Sequence, residues 1–531
     1  MFDILITNGK IVDGLGTASF KADLGIRDGK IESIGDLSEQ DSASKIQAEG
    51  MIVTPGFIDV HTHSDVTILV NPKAESAVRQ GVTTQVFPNC GHGTAPAVGE
   101  ALKDVESQLA PYGLNVSWRT VGEYFAHVEQ QKPSINVVPM VAHGTVRIAV
   151  LGYEKRKPTS TELLQMQDHV EEAMKSGARG LCSGLRYVPD GYANADELIT
   201  LCKVVKLFDG IYTSHIRSEG DNGSWFDAIT EAISIGEQAN VPVQISHLKA
   251  LGRHVWGKSG QALQMIDAAR TRGLDVACDQ YPYGASSSTL LVLFPQWAID
   301  GGIALLFKRL NDSQVAKKIE QEFNETLEMR GGPEKMTISL FSPDRSLQGM
   351  TLCEVAEKEK KTPFQTSIDL LQRAEGQVKM IFHVMDMEDV RKIIRREDVM
   401  VASDGYALAN YGLLANGSTH PRSYGCFPRV LAHFVREQRL LTVEQAVKKM
   451  TSLPAARFKL HDRGALQEGK AADLVIFDPL RIQDKATFDN PQQYPTGIHY
   501  VIVNGEIVVK EGEHTGAGPG RILRRNARPK T

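Results

Sequence analysis

The sequence predicts an α/β fold: a (β/α)8, TIM-like barrel, a small β-sandwich assembled from both chain ends, and a cap inserted after the seventh barrel strand. Three observations carry this expectation. β-Branched or apolar runs alternate with helical stretches through the middle of the chain, as βα units around a parallel sheet do. Such runs lie near Val53, Thr83, Val137, Arg179, Ile211, Val243, Leu274 and Met400, the number that closes a barrel. Five of them end in residues able to bind a metal, at the C-terminal face where barrels of this kind carry their chemistry.

From the start of the chain, segments such as Ile4 to Val12 and Asp23 to Ile31 alternate in polarity around Asn-Gly and Asp-Gly turns, which reads as antiparallel strands. The stretch from Tyr500 to Val509 repeats the pattern around Asn504-Gly505. Neither end is long enough for a good core alone, so residues 1–54 and 461–531 are expected to pair into one sandwich. Residues 55–460 are expected to form the barrel, with helices over Glu162 to Ser176 and Trp225 to Ala239. The connection before the last strand is too long for a simple crossover. Its part from about 286 to 343 reads as a cap, followed by a further strand and helix near Val378 to Arg395.

A chain of 531 residues with 59 basic and 64 acidic side chains, net −5, carries no charge signature of a nucleic-acid or membrane-surface partner. Small-molecule chemistry is the expectation. Six scattered cysteines do not form a disulfide framework, and the N-terminus reads as neither signal peptide nor membrane span. A soluble cytoplasmic protein is expected, and no oligomeric state follows from the sequence. No glycine-rich run has the context of a phosphate cradle, so no nucleotide cofactor is implied.

The strand ends hold the chemistry. His61 and His63 lie two apart on one strand and so share a face. Cys90 ends the run from Thr83, His215 the run from Gly210, His247 the run from Val241, and Asp404 the run from Val399. Imidazole, thiolate and carboxylate together suit a divalent transition metal, zinc foremost. Lys249, two residues past His247, shares its face. His92 and His143 lie near the mouth as lesser candidates for substrate contact, and His383 reads as structural.

These residues resemble the amidohydrolase superfamily and, within it, the N-acyl-D-amino-acid deacylases (D-aminoacylases). The phrases that narrow it are Tyr212 to Arg217, Ile245 to Lys249, Asp279 to Tyr283 and His420-Pro421-Arg422. The resemblance implies one tight zinc site at Cys90, His215 and His247 and a second, weaker position at His61, His63 and Asp404. The fourth strand, Gly180 to Leu185, offers no lysine to bridge two metals, and Cys90 is the substitute that the resemblance implies. It further implies hydrolysis of the acyl amide of N-acyl-D-amino acids by metal-activated water, with Asp404 as general base and then acid. Arg422, Tyr283 and Ser288 would hold the substrate carboxylate. Tyr192 and Lys249 are further substrate candidates; the bland reading of Tyr192 and Ser288 is as ordinary turn or packing residues, and that of Arg422 as a structural ion pair. The alternatives are another amidohydrolase reaction, such as opening a cyclic amide or imide (dihydroorotase- or hydantoinase-like), and a non-catalytic scaffold.

Overall fold

The computed structural model describes residues 1–220 and 223–525, so positions 526–531 of the expected C-terminal piece lie outside the described residues. The fold is mixed α/β. Strands from both chain ends share one nine-stranded sheet, in which Leu474–Phe477 lies antiparallel between Ile52–Pro55 and Ile498–Val503. Phe2–Ile11 forks this sheet: its first part pairs with Ser42–Gln47 and its end with Ile52–Pro55. Ile4, Ile26 and Ile46 from one end of the chain and Leu474, Ile476 and Ile502 from the other close a common core. The two ends therefore depend on each other for burial.

The run around Val53 proves to be two strands. Ile52–Pro55 belongs to the terminal sheet, whereas Phe57–Asp59 begins the parallel strands. Gly56 is the crossing point, and a Cβ there would come within 2.2 Å of Thr83 Oγ1, so the close approach of chain to strand requires glycine.

Phe57–Asp59, Val82–Phe87 and Asn136–Pro139 pair in parallel. The third of these breaks at Met140 and resumes as Val141–Ala142, which pairs with Gly180–Gly184. Ile211–His215, Val243–Ile245, Val276–Gln280 and Val399–Val401 continue the series, all parallel. The last strand returns beside the first: Asp404 N–H donates to the His61 carbonyl and His63 N–H to the Gly405 carbonyl, both at 2.9 Å. Helices pack outside, several started by a side-chain cap written in the sequence. Thr159 and Glu162 form a capping box for Ser160–Lys175, Ser224 caps Trp225–Ala239, and Asn240 in the left-handed region ends that helix. Met166, Val170, Ala173 and Met174 form the buried stripe of the first helix, at the three- and four-residue spacing of an amphipathic face.

The insertion differs from its expected outline. Lys379–Phe382, expected to open a separate strand-helix unit, is the central strand of an antiparallel sheet between Ser286–Thr289 and Met336–Leu340. Its residues Met380 and Phe382 pack with Leu290, Phe323, Met336 and Phe364 in a core of the insertion's own. The sheet thus runs past residue 343, because the apolar face of Lys379–Phe382 has its partners in the inserted segment. Among the described residues no helix is long and apolar enough to cross a membrane.

Asp473 bolts the terminal sheet to the parallel strands. One carboxylate oxygen accepts from Asn504 N–H at 2.7 Å, and the other accepts from Asn136 Nδ2 at 3.1 Å and pairs with the buried Arg463 guanidinium. Asp473→Ala removes the buried partner of that guanidinium, leaving it only the more exposed Asp462 carboxylate at 3.1 Å, and is expected to cost about 3 kcal/mol of stability. Denaturant unfolding checks this, and a midpoint equal to wild type would contradict it.

Candidate metal centre

Three of the strand-end donors sit where the chain turns abruptly. Cys90, His247 and Asp404 have φ of 51°, 36° and 49°, in the left-handed region that residues with a side chain seldom occupy. Strain of that kind persists only where surrounding contacts enforce it. Asp279 accepts the His247 N–H at 2.8 Å, and Asp59 accepts the Ser403 N–H, just before Asp404, at 2.9 Å. Burial pushes both carboxyls up to about 7. At Cys90 the constraint is steric: a Cβ on Gly184, which ends the fourth strand, would lie 2.0 Å from the Cys90 carbonyl oxygen. The backbone of Cys90 fills the space into which a lysine at that strand end would project.

Cys90 Sγ is the hub of the cluster. His61 Nε2 lies 3.2 Å from it, His247 Nε2 3.4 Å and His215 Nδ1 3.5 Å, and all four residues are buried. Metal–ligand arms of about 2.0–2.3 Å in a tetrahedral array put neighbouring donors about 3.3–3.6 Å apart. The donor atoms of His61, Cys90, His247 and Asp404 all lie within 4.8 Å of one another, as do those of His215, Glu219 and His247, so the cluster offers two adjoining donor groups that share His247. Burial holds the imidazoles of His61, His215 and His247 well below their ordinary pKa, so each is neutral with a lone pair to give. It pushes the Cys90 thiol well up, a cost that only a cation beside the sulfur reverses.

Asp404 lies across this cluster. Its Oδ1 is 2.9 Å from His63 Nε2 and 3.6 Å from His61 Nε2, while Oδ2 pairs with Arg422 Nη1 at 2.8 Å. Burial works against its charge, but the Arg422 guanidinium and the adjacent imidazoles outweigh burial and hold the carboxyl well below the usual range. On the far side, Lys249 pairs with the buried Glu219 and approaches His247 Nδ1 at 2.8 Å, with Glu219 Oε1 3.1 Å from the same nitrogen. The Tyr281 ring lies under both cations, 4.7 Å from Arg422 and 5.7 Å from Lys249.

A cavity of about 340 Å³ opens above these groups. Of the sequence candidates, His63, Cys90, His215, His247, Asp404, Lys249, Ser288, Arg422 and His92 line it. Tyr283 and Tyr192 do not. Tyr283 is buried edge-on against His420 at 5.2 Å and under Arg429 at 4.9 Å. Tyr192 accepts the Gly301 N–H at 3.2 Å, in a 3-10 turn outside the cavity wall. Alternation along an extended segment did not foretell either orientation, since both lie beyond the regular strands. His143 lies behind the Cys90 loop rather than in the cavity, between Asp190 and Glu197.

Sequence reasoning missed Glu219, Tyr187, Lys379 and Tyr406, all in the cavity wall. Glu219 follows His215 by four residues and Tyr406 follows Asp404 by two, and that proximity to a strand end was the one available signal. Lys379 comes from the inserted sheet and had none.

The amidohydrolase family matches residues 417–509. The D-aminoacylase of Alcaligenes xylosoxydans xylosoxydans is 36% identical over 99% of this chain and 98% of its own length. The N-acyl-D-glutamate deacylase of that organism is 35% identical, over 99% and 97%. A crystal structure of the N-acyl-D-glutamate deacylase from Bordetella bronchiseptica, complexed with zinc and a phosphonate inhibitor that mimics the tetrahedral intermediate, covers 99% of this chain and 100% of that one at 35% identity, with a TM-score of 0.84.

The His143 cluster supports the Cys90 loop and sets a pH dependence. Burial opposes charge on His143, but Asp190 and Glu197 outweigh it and raise its pKa to about 9. A histidine raised in the folded state stabilises fully below its unfolded value of about 6.5 and loses that contribution as pH rises through the folded value. The stability gap between wild type and His143→Gln is therefore expected to shrink between pH 6.5 and 9. Denaturant unfolding across that range measures it, and a constant gap would refute the assignment.

Proposed function

Because the chain belongs to the N-acyl-D-amino-acid deacylases of the amidohydrolase superfamily, we propose that it hydrolyses the acyl amide of N-acyl-D-amino acids in a metal-dependent reaction, giving a carboxylate and a free D-amino acid. The observation that carries this reading is the convergence of three imidazole nitrogens within 3.5 Å of Cys90 Sγ, beneath Asp404. In this reading Cys90, His215 and His247 hold the tight metal, zinc by the softness of the thiolate, and His61, His63 and Asp404 border a weaker second position. Held there, the metal supplies a Lewis acid and brings the pKa of water down to about 7.

The protein's own groups do the rest. Asp404 remains ionised at neutral pH under Arg422 and His63, the state needed to accept a proton from the attacking water and return it to the leaving amine. Arg422 and Lys249, with Ser288, meet the substrate carboxylate. Glu219 keeps Lys249 charged within the apolar wall and braces His247 from behind. We also read the parallel strands as a (β/α)8 barrel with an inserted cap over the cavity and a β-sandwich from the two chain ends, supported by the return of the last strand beside the first. A cytoplasmic setting belongs to the same reading, supported by cysteines that are all free thiols.

The deciding experiment is release of free amine from N-acetyl D- and L-amino acids, before and after chelation and with zinc returned. Hydrolysis confined to the D series, lost on chelation and restored by zinc, is expected. Equal rates on both enantiomers would overturn the assignment. Asp404→Asn is expected to lower kcat by about 10²–10⁴-fold, the range for a general acid–base group. Turnover near wild type in a zinc-loaded Asp404→Asn protein would remove Asp404 from that role.

A further inference from the structure

Deepening the deacylase reading, on which this rests, we propose that Lys379 reads a carboxylate on the substrate side chain, so that the enzyme prefers N-acyl-D-amino acids of the glutamate and aspartate class. Four other cations line the cavity: Arg422 pairs with Asp404, Lys249 with Glu219, Arg186 donates to the Val292 carbonyl at 2.9 Å and Arg330 stacks over the Phe382 ring at 4.9 Å. In the deacylase reading Arg422 and Lys249 serve the substrate's α-carboxylate. A second carboxylate needs a cation of its own within the same cavity.

Lys379 meets that need. It opens the central strand of the inserted sheet, opposite Thr289, and its side chain lines the cavity while the residue keeps contact with solvent. Nζ donates to the Tyr406 hydroxyl at 3.1 Å and stands 4.6 Å from the centroid of that ring. Both contacts are with the Tyr406 phenol, and among the described residues no carboxylate stands within ion-pair distance of Nζ. Tyr406 in turn lies beside His63, ring centroids 5.7 Å apart, so the ammonium is one side chain removed from the metal-facing donors. A lysine is a point charge on a flexible stem, able to meet side chains of either one or two methylenes. The apolar part of the wall, Leu251, Leu291, Val292 and Ile299, gives the acyl group a separate surface.

The test compares kcat/KM for N-acetyl-D-glutamate and its neutral isostere N-acetyl-D-glutamine in wild type, Lys379→Met and Lys379→Arg. Wild type is expected to favour the glutamate substrate by ten-fold or more, since a hydrogen bond to a charged group is of that size. Lys379→Met should reduce this ratio at least ten-fold, mainly through KM, and Lys379→Arg should retain most of it. A wild-type ratio near one, or a ratio unchanged in Lys379→Met, overturns the proposal. So does a response to Lys379→Met seen with N-succinyl-D-glutamine but not with N-acetyl-D-glutamate, which would assign the cation to the acyl group. Activity on neutral D substrates without acidic preference defeats this inference alone, whereas inactivity on every D substrate defeats the deacylase reading and this one together.

Discussion

Four soft donors buried around one point are the constraint on which the rest of the structure turns. Cys90 Sγ and the nitrogens of His61, His215 and His247 come from four different strands, yet lie within 3.5 Å of the sulfur. Bringing them there forces Cys90 and His247 into left-handed backbone conformations and leaves no room for a side chain at Gly184. Asp59 and Asp279, both buried, spend their carboxylates on backbone N–H groups of the turns that carry Asp404 and His247. The first surrounding layer thus fixes the backbone, and the backbone fixes the donors.

Charge is arranged in matched layers around that point. Asp404 faces Arg422, Glu219 faces Lys249, and Tyr281 spreads its ring beneath both cations. Losing one partner of a buried pair leaves an uncompensated charge, which is far more damaging than losing a surface pair. In the proposed function, Asp404 is thereby coupled to the group that would meet the substrate, because Asp404 and a substrate carboxylate would share the field of Arg422. Lys379 stands apart from this scheme, in the cavity wall against the Tyr406 hydroxyl.

The framework outside the centre works by mutual dependence. The two chain ends share a core that neither completes alone, and Asp473 ties that sheet to the third parallel strand through Asn136. The inserted sheet has its own apolar cluster and meets the cavity through Ser286–Thr289 and Lys379.

Much of the centre was legible because strand periodicity is short-range. Two-residue alternation puts His61 beside His63, and each other donor ends a recognisable apolar run, so the sequence alone determined which residue types reach the C-terminal ends of the strands and what chemistry they suit. Features that depend on contacts between distant segments were not legible. Lys379 and Glu219 are part of the wall, Tyr283 and Tyr192 pack elsewhere, and the strand at Lys379–Phe382 joins the insertion because its apolar face finds partners there. Alternation says on which side of a strand a residue lies. Only the tertiary structure decides what stands opposite, because that depends on how loops and insertions satisfy their own burial and charge.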